Sequence, residues 1–128
     1  MADASYPDDL RYHTEHDWVR IEGATGTFGI TWFAQDSLGE IVFFDPPSVG
    51  ATVDKDQSYA EVESVKAVSD VIAPMSGEIV EVNEALSDSP EKINEDPYGE
   101  GWLVKVRLSD PSEADDLLDA AAYEDTLG

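Results

Sequence analysis

Residues 59–73, which read YAEVESVKAVSDVIA, are the stretch that decides the fold. Apolar and polar residues alternate from Tyr59 to Glu63, and an apolar pattern resumes after Lys66 and stops at Pro74, which cannot take part in a central strand. Two strands joined by a short turn are therefore predicted, with Lys66 at the tip of the hairpin. Most exposed lysines only solvate a surface, so a role for Lys66 has to be argued from its surroundings.

The rest of the chain predicts more short strands with small helical insertions. Thr31 and Gly39 are typical N-terminal and C-terminal caps and predict a helix over 32–38, while Gly29 inside a strand indicates a close backbone approach. Further strands are predicted at 17–21, 27–30, 40–44, 78–82 and 102–108, brief helical turns at 84–86 and 90–93, and helical pieces at 111–118 and 119–127. This pattern predicts a mainly β fold, either a sandwich or a flattened barrel.

The chain length predicts one domain. Residues 1–10 are polar and contain Pro7, so they predict a flexible N-terminal arm. Residues 11–128 predict a single domain that includes a C-terminal helical segment over 111–127. A chain of 128 residues is small for an enzyme that must enclose a substrate, and it suits a carrier or a binding module.

The charge balance excludes several classes of partner. There are 29 acidic and 7 basic residues, which gives a formal net charge of −22. Nucleic acids and anionic membrane surfaces should repel such a protein. Because 41% of the residues are hydrophobic, the charge must lie on the surface of a folded domain. Salt would screen the resulting self-repulsion, so a halophilic source is our hypothesis.

The missing residue types also limit the chemistry. No cysteine is present, which excludes disulfides, a thiolate nucleophile and a zinc-thiolate site. The N-terminus has no basic and apolar leader, and no apolar run approaches the ~18 residues of a membrane span. The cytoplasm is therefore the expected compartment.

Several motifs carry a family resemblance. Residues 63–67, ESVKA, followed by VIAPMSG, resemble the hairpin that bears lipoate or biotin in swinging-arm domains. Biotin carriers bracket their lysine with methionines, so Val65 and Ala67 resemble the lipoyl version. Residues 83–86, NEAL, and 94–102, NEDPYGEGW, are similar to segments of the glycine cleavage system H-protein family. Further similarity runs from Tyr12 through EHDWV, residues 15–19, and the whole match runs from about residue 11 to 123.

The resemblance implies a fold, a cofactor and partners. The fold would be a barrel-sandwich hybrid of two antiparallel sheets, and the protein would be a non-catalytic carrier and a monomer with lipoate covalently attached to Lys66. Glu63, Ser64, Val65 and Ala67 would flank the attachment point. The implied partners are a pyridoxal-phosphate glycine decarboxylase, a tetrahydrofolate-dependent aminomethyltransferase, dihydrolipoyl dehydrogenase and the lipoylating enzymes.

The resemblance also implies a groove for the loaded arm, whose amine would be cationic and would favour nearby carboxylates. It places that groove at Asp17 and Asp70, with Glu15 and His16 as further candidates. Asp17 stands where the family usually has glutamate, so its side chain is one methylene shorter. Without the resemblance, each of these acids would be read as one of many that solvate a face.

Two other features leave alternatives open. His13 and His16 lie three apart on chain that is predicted to be extended, so they would face opposite sides and a metal site is not expected. Trp32 and Phe33 depart from the acid followed by histidine or tyrosine that the family has there. They would either line the lipoyl groove or pack in the core, and large aromatics favour the core.

Two other functions remain open at this point. An H-like lipoate-binding protein of sulfur metabolism or lipoate relay would share the same lysine chemistry. An unmodified acidic interaction module would use Lys66 only as a turn residue.

Overall fold

The computed structural model describes residues 6–127. The strands are β1 (Arg11–Tyr12), β2 (Asp17–Glu22), β3 (Thr25–Ile30), β4 (Ile41–Asp45), β5 (Thr52–Val53), β6 (Ser58–Ser64), β7 (Val68–Ile72), β8 (Gly77–Val82) and β9 (Val104–Leu108). The helices are α1 (Trp32–Leu38), α2 (Ala85–Asp88), α3 (Lys92–Glu95) and α4 (Ala120–Leu127), with a 3₁₀ helix at Pro111–Asp116. Within the described range, no helix is both long and apolar enough to span a membrane.

The strands form two sheets in which every pairing is antiparallel. The larger sheet has the order β1-β2-β3-β9-β8-β5, and the smaller has the order β4-β6-β7. Both sheets contribute to one apolar core, which includes Val19, Phe28, Phe44, Val62, Val71, Ile79 and Val106. The predicted mainly β fold of two antiparallel sheets is confirmed. The two-residue strand β5 is too short to give an alternating pattern, so the sequence did not predict it.

A close approach fixes the hairpin of β2 and β3. The register places Trp18 directly opposite Gly29, and a Cβ atom added to Gly29 would lie 2.5 Å from the indole ring. The indole N–H donates to the carbonyl of Ile30 at 3.0 Å and to that of Pro97 at 3.1 Å. Gly29 therefore leaves the space that the ring occupies, as its place in the strand predicted.

Helix α1 has the predicted bounds, and its caps explain them. The Thr31 hydroxyl accepts from the Ala34 N–H at 3.2 Å, and Gly39, with φ +82°, donates its N–H to the carbonyl of Gln35. The amide of Asn94 on α3 donates to the Gly39 carbonyl at 2.8 Å. The end of α1 is therefore held in place by a second helix.

The C-terminal helical segment differs in its details from the prediction. The part that starts at Pro111 is a 3₁₀ helix that ends at Asp116. A regular α-helix, α4, begins only at Ala120. The Asp110 carboxylate accepts from the Ser112 N–H and caps the 3₁₀ helix at its start.

The N-terminal segment lies partly within the described residues. The predicted flexible arm covers residues 1–10, of which 1–5 lie outside the described range. Leu10 is buried, and the Tyr6 ring stands edge-on to Tyr123 with 5.4 Å between centroids. Leu10 and Tyr6 belong to a second apolar cluster, together with Tyr12, Trp18, Tyr98 and Tyr123. Tyr6 therefore contacts the C-terminal helix, and Leu10 is buried in the same cluster.

Candidate functional site

The hairpin of β6 and β7 holds Lys66 on an ordered turn. The Ser64 hydroxyl accepts from the backbone N–H of Lys66 at 3.3 Å and of Ala67 at 3.1 Å. The Ser64 N–H donates to the Ala67 carbonyl at 2.8 Å, and the Val65 N–H donates to the Glu40 carbonyl at 3.1 Å. These bonds fix the backbone on both sides of the lysine, so the base of its side chain is rigid.

Lys66 differs from the other three lysines in its surroundings. Its side chain is exposed, and among residues 6–127 its ammonium has neither an ion pair nor a hydrogen bond. The end of the side chain lies beside Gly39, where an added Cβ atom would be 3.8 Å from the lysine Cε. The other three lysines have partners. The Nζ atoms of Lys55 and Lys92 lie 3.4 Å from carboxylate oxygens of Asp56 and Glu100. The Nζ atom of Lys105 lies 5.2 Å from the centroid of the Trp102 ring.

The smaller sheet turns one face to solvent around this tip. Glu63 lies opposite Val68, and Glu61 lies opposite Asp70. All four side chains are exposed, as are Val65 and Ala67 in the turn. The predicted flanking residues are therefore together at the tip, with Ser64 beneath the turn and the others at the surface.

Asp17 is enclosed, unlike the other predicted groove residues. It is 2% exposed, and its carboxyl accepts a hydrogen bond from the backbone N–H of Ile72 on β7. The other oxygen, Oδ2, has no partner among the described residues. Burial raises the pKa of Asp17 well above its ordinary value, and the nearby charge of Glu15 raises it further.

Tyr59 adds a second unpartnered polar group near Asp17. Its hydroxyl is buried and finds no hydrogen-bond partner within the described part of the chain. Burial raises the pKa of Tyr59, and the carboxyl of Asp17 contributes to the same shift. Glu15 and Asp70, by contrast, are exposed. Asp17 is therefore bonded to Ile72, which follows Asp70 by two residues on β7. Asp70 is exposed to solvent, whereas Asp17 is buried.

His16 links two helices. The chain at 13–16 is a tight turn and not the extended segment that was predicted, because the His16 N–H donates to the His13 carbonyl and His16 has φ +75°. Its Nδ1 lies 2.8 Å from the Tyr123 hydroxyl, which lies 2.8 Å from the Thr31 hydroxyl. Burial lowers the pKa of His16. His16 therefore joins α4 to the N-terminal cap of α1.

His13 has a separate partner. Its Nδ1 accepts from the Glu15 N–H at 3.0 Å, so Nε2 carries the proton and donates to Asp56 at 2.6 Å. This hydrogen bond is the main cause of the lowered pKa of Asp56. From Tyr6 to Leu127 there is no cluster of three or more histidines and acids that could hold a metal ion.

The two aromatic residues at the start of α1 are both half-buried. Trp32 packs against the second apolar cluster, and its backbone N–H donates to the Tyr98 hydroxyl at 2.9 Å. The Phe33 ring lies 4.7 Å from the His16 ring. Neither side chain belongs to the main core between the sheets.

An acidic cavity of about 330 Å³ lies between the C-terminal end of α1 and helix α3. Gly39, which lies beside the end of the Lys66 side chain, also lines this cavity. The other lining residues are Gln35, Asp36, Glu40, Glu91, Asn94 and Glu95. From the sequence, Gly39 is predicted only as the C-terminal cap of a helix. Its position beside Lys66 depends on the packing of distant segments, which no local pattern indicates.

Together these features define a class of protein. A rigid hairpin that presents an unpaired lysine from a domain of two antiparallel sheets is the arrangement of a swinging-arm carrier. The base of the lysine is fixed, and its ammonium is unpaired among the described residues.

Comparisons with known proteins identify the family. The family model described as glycine cleavage H-protein matches residues 10–128. The glycine cleavage system H protein of Symbiobacterium thermophilum is 56% identical over 121 residues, covering 94% of each chain. A probable glycine cleavage system H protein of Haloarcula marismortui is 51% identical over 121 residues, covering 94% of this chain and 95% of that one. The crystal structure of the H protein from Mycobacterium marinum superposes with a TM-score of 0.87, at 45% identity, covering 95% of this chain and 98% of that one.

The chain belongs to the glycine cleavage H-protein family. The family's members are non-catalytic carrier subunits with lipoate covalently attached to a lysine, so this chain is a carrier and not an enzyme. The resemblance predicted from the sequence is confirmed. Neither the sulfur-metabolism carrier nor the unmodified interaction module is favoured by these matches.

Proposed function

We propose that Lys66 is the residue that carries lipoate, and that the loaded arm serves glycine cleavage. The observation that supports this most is the contrast among the four lysines. Three of them are held by a carboxylate or an aromatic ring, whereas Lys66 extends from a hydrogen-bonded turn with its ammonium unpaired in the described structure. A group that must be acylated and then visit other proteins needs this combination of a fixed base and a free tip.

The hairpin residues would define the geometry of the arm. Ser64 holds the turn, and Glu63, Val65 and Ala67 form the surface around the attachment point. Acylation converts the ammonium of Lys66 to a neutral amide and removes its charge. Lipoate, when attached, supplies a dithiolane that accepts the aminomethyl group of glycine and is afterwards reoxidised. A tether of this kind raises the local concentration of that group at each partner.

We propose that glycine decarboxylase, the aminomethyltransferase and dihydrolipoyl dehydrogenase use the arm in turn, after lipoylating enzymes have attached it. Each of these partners must reach the same tip. We further propose that the protein acts in the cytoplasm and as a monomer; the net charge of −22 favours the monomer, since it opposes self-association in dilute salt.

Asp17, Asp70, Glu15 and His16 remain our candidates for the resting groove. Glu15 and Asp70 are exposed carboxylates that a cationic amine can approach from solvent. Asp17 Oδ2 is a buried acceptor without a donor in the described part of the chain, which fits an amine that arrives only with the loaded arm. His16 would hold α1 in place through Tyr123 and would not touch the amine.

The exchange of bicarbonate into glycine by the decarboxylase tests this function. The lipoylated wild type should support exchange, and Lys66→Arg, which keeps the charge but cannot be lipoylated in the same way, should reduce exchange to the level without carrier. Lys92→Arg is the matched control and should behave as the wild type. Exchange that persists in Lys66→Arg, or that the lipoylated wild type fails to support, would contradict the proposal.

A further inference from the structure

The exposed apolar side chains gather beside Lys66. Within residues 6–127, six large apolar residues are exposed, and four of them lie on β4 or in the hairpin tip. Phe43 is 50% exposed, Val65 68% and Val68 59%, and we call these three the apolar collar. The other three exposed large apolar residues are Val42, Val49 and Val80. In a protein that otherwise shows a strongly acidic surface, a local apolar patch indicates a contact with another molecule.

The sheet register places the collar on one face. Phe43 pairs with Glu63, and Glu63 pairs with Val68. Directly paired residues of antiparallel strands point to the same side, so Phe43 and Val68 flank Glu63 in one row across all three strands. Val65 stands in the turn immediately before Lys66. Phe43 and Val68 therefore lie on the outer face of the smaller sheet, and Val65 is exposed in the turn beside Lys66.

A second row on this face is entirely acidic. Asp45 pairs with Glu61, and Glu61 pairs with Asp70, two residues further from the tip than the first row. All three side chains are exposed. Like charges that are directly opposite on neighbouring strands repel one another, so this row is complementary to a cationic surface. The face thus has two apolar side chains on either side of Glu63 near the tip and a row of three acidic side chains behind them.

The length of the lysine decides which partner this face fits. Five single bonds separate the Cα of Lys66 from its amine, so the amine lies about 6 Å from the backbone. An enzyme that acts on the amine itself must bring its active site that close and must cover Phe43, Val65 and Val68. An enzyme that acts on the far end of an attached arm can remain further away. The collar therefore fits the enzyme that acylates the bare lysine.

We infer that the collar and the acidic row are the docking surface for the enzyme that lipoylates Lys66, whose own surface presents an apolar socket next to lysine or arginine side chains. This inference rests on the proposed function of Lys66. In the reaction, the deprotonated amine attacks the carbonyl carbon of a lipoyl adenylate. The new amide bond forms as the bond to AMP breaks, and the proton from the ammonium goes to solvent.

The test uses the full, unmodified chain with lipoate, ATP and an ATP-dependent lipoate–protein ligase. Phe43→Ser should lower kcat/KM for lipoylation by about tenfold or more, mainly through KM, because it removes a central apolar contact. Val80→Ser is the matched control, since Val80 is 41% exposed on β8 of the other sheet, and it should stay within about twofold of the wild type. Glu61→Gln should weaken the dependence of KM on salt.

A small reagent separates docking from reactivity. Acetylation of Lys66 by an N-hydroxysuccinimide ester, followed by peptide mass, should proceed at the same rate in the wild type and in Phe43→Ser. A wild-type rate of enzymatic lipoylation in Phe43→Ser, an equal loss in Val80→Ser, or an equal loss of chemical acetylation would overturn the docking surface. A wild type that is not lipoylated at Lys66 at all would instead overturn the proposed function.

Discussion

The substitution Asp17→Asn should stabilise the protein, and the gain should depend on pH. Asp17 is 2% exposed, with one carboxyl oxygen bonded to the Ile72 N–H and the other without a partner among the described residues. The asparagine side chain has nearly the same size and is neutral at every pH, and its carbonyl can accept from the same N–H. The variant therefore removes the buried acid and keeps an acceptor for the Ile72 N–H.

The direction of the pH dependence follows from the raised pKa. Folded Asp17 holds its proton more tightly than the unfolded chain, in which the ordinary value of 3.8 applies. Its contribution to stability is thus complete below pH 3.8 and is lost as the pH rises from there through the folded pKa. At pH 8 the variant avoids this loss, and we expect it to be more stable than the wild type by about 1–3 kcal/mol, the usual cost of an unsatisfied buried polar group. Near pH 3.5 the two should converge.

Urea unfolding at fixed salt, followed from pH 3.5 to 8, measures the difference. Asp70→Asn is the matched control, since that carboxylate is exposed and its loss should change stability by less than about 0.5 kcal/mol at any pH. A gain for Asp17→Asn that is the same at every pH, or a variant that is less stable than the wild type at pH 8, would refute the assignment of Asp17 as a buried acid with a raised pKa.

Four further outcomes are expected. Gly29→Ala should lower the free energy of unfolding by about 1–3 kcal/mol in urea, because its Cβ would lie 2.5 Å from the Trp18 ring; unchanged stability would contradict that contact. Ser64→Ala should cost about 1 kcal/mol of hairpin stability, seen as faster hydrogen exchange at the Ala67 amide; unchanged exchange would show that the hydroxyl does not hold the turn. Tyr123→Phe should destabilise the protein by about 1–3 kcal/mol in urea, because its hydroxyl joins α4 to the cap of α1; a neutral result would remove that link. The melting temperature should rise with potassium chloride, because salt screens the net charge of −22; a flat series would contradict the halophilic hypothesis.

Local signals were enough to predict the elements that carry the site. The caps Thr31 and Gly39 gave the bounds of α1, since capping depends only on nearby residues. The alternation on either side of Lys66 predicted β6 and β7, and Gly29 predicted the close approach to another part of the chain. Each of these signals lies within a few residues of the feature that it describes.

The features that the sequence did not predict depend on contacts between distant segments. Asp17 is buried and its carboxyl is bonded to Ile72 on β7, and the pair of His13 with Asp56 joins residues 43 positions apart. The apolar collar depends on the register that brings Phe43 level with Val68, which alternation within single strands does not determine. The family resemblance supplied the groove residues but not their exposure, and among them Asp17 is enclosed.

The central claim is that Lys66 is the attachment point of the arm, and peptide mass spectrometry tests it most directly. Protein isolated from its native host should be digested with an acid-specific protease, so that cleavage does not depend on lysine. We expect a lipoyl mass increment on the peptide that contains Lys66 and on none of the peptides that contain Lys55, Lys92 or Lys105. An unmodified Lys66, or an increment on any of the other three lysines, would contradict the account.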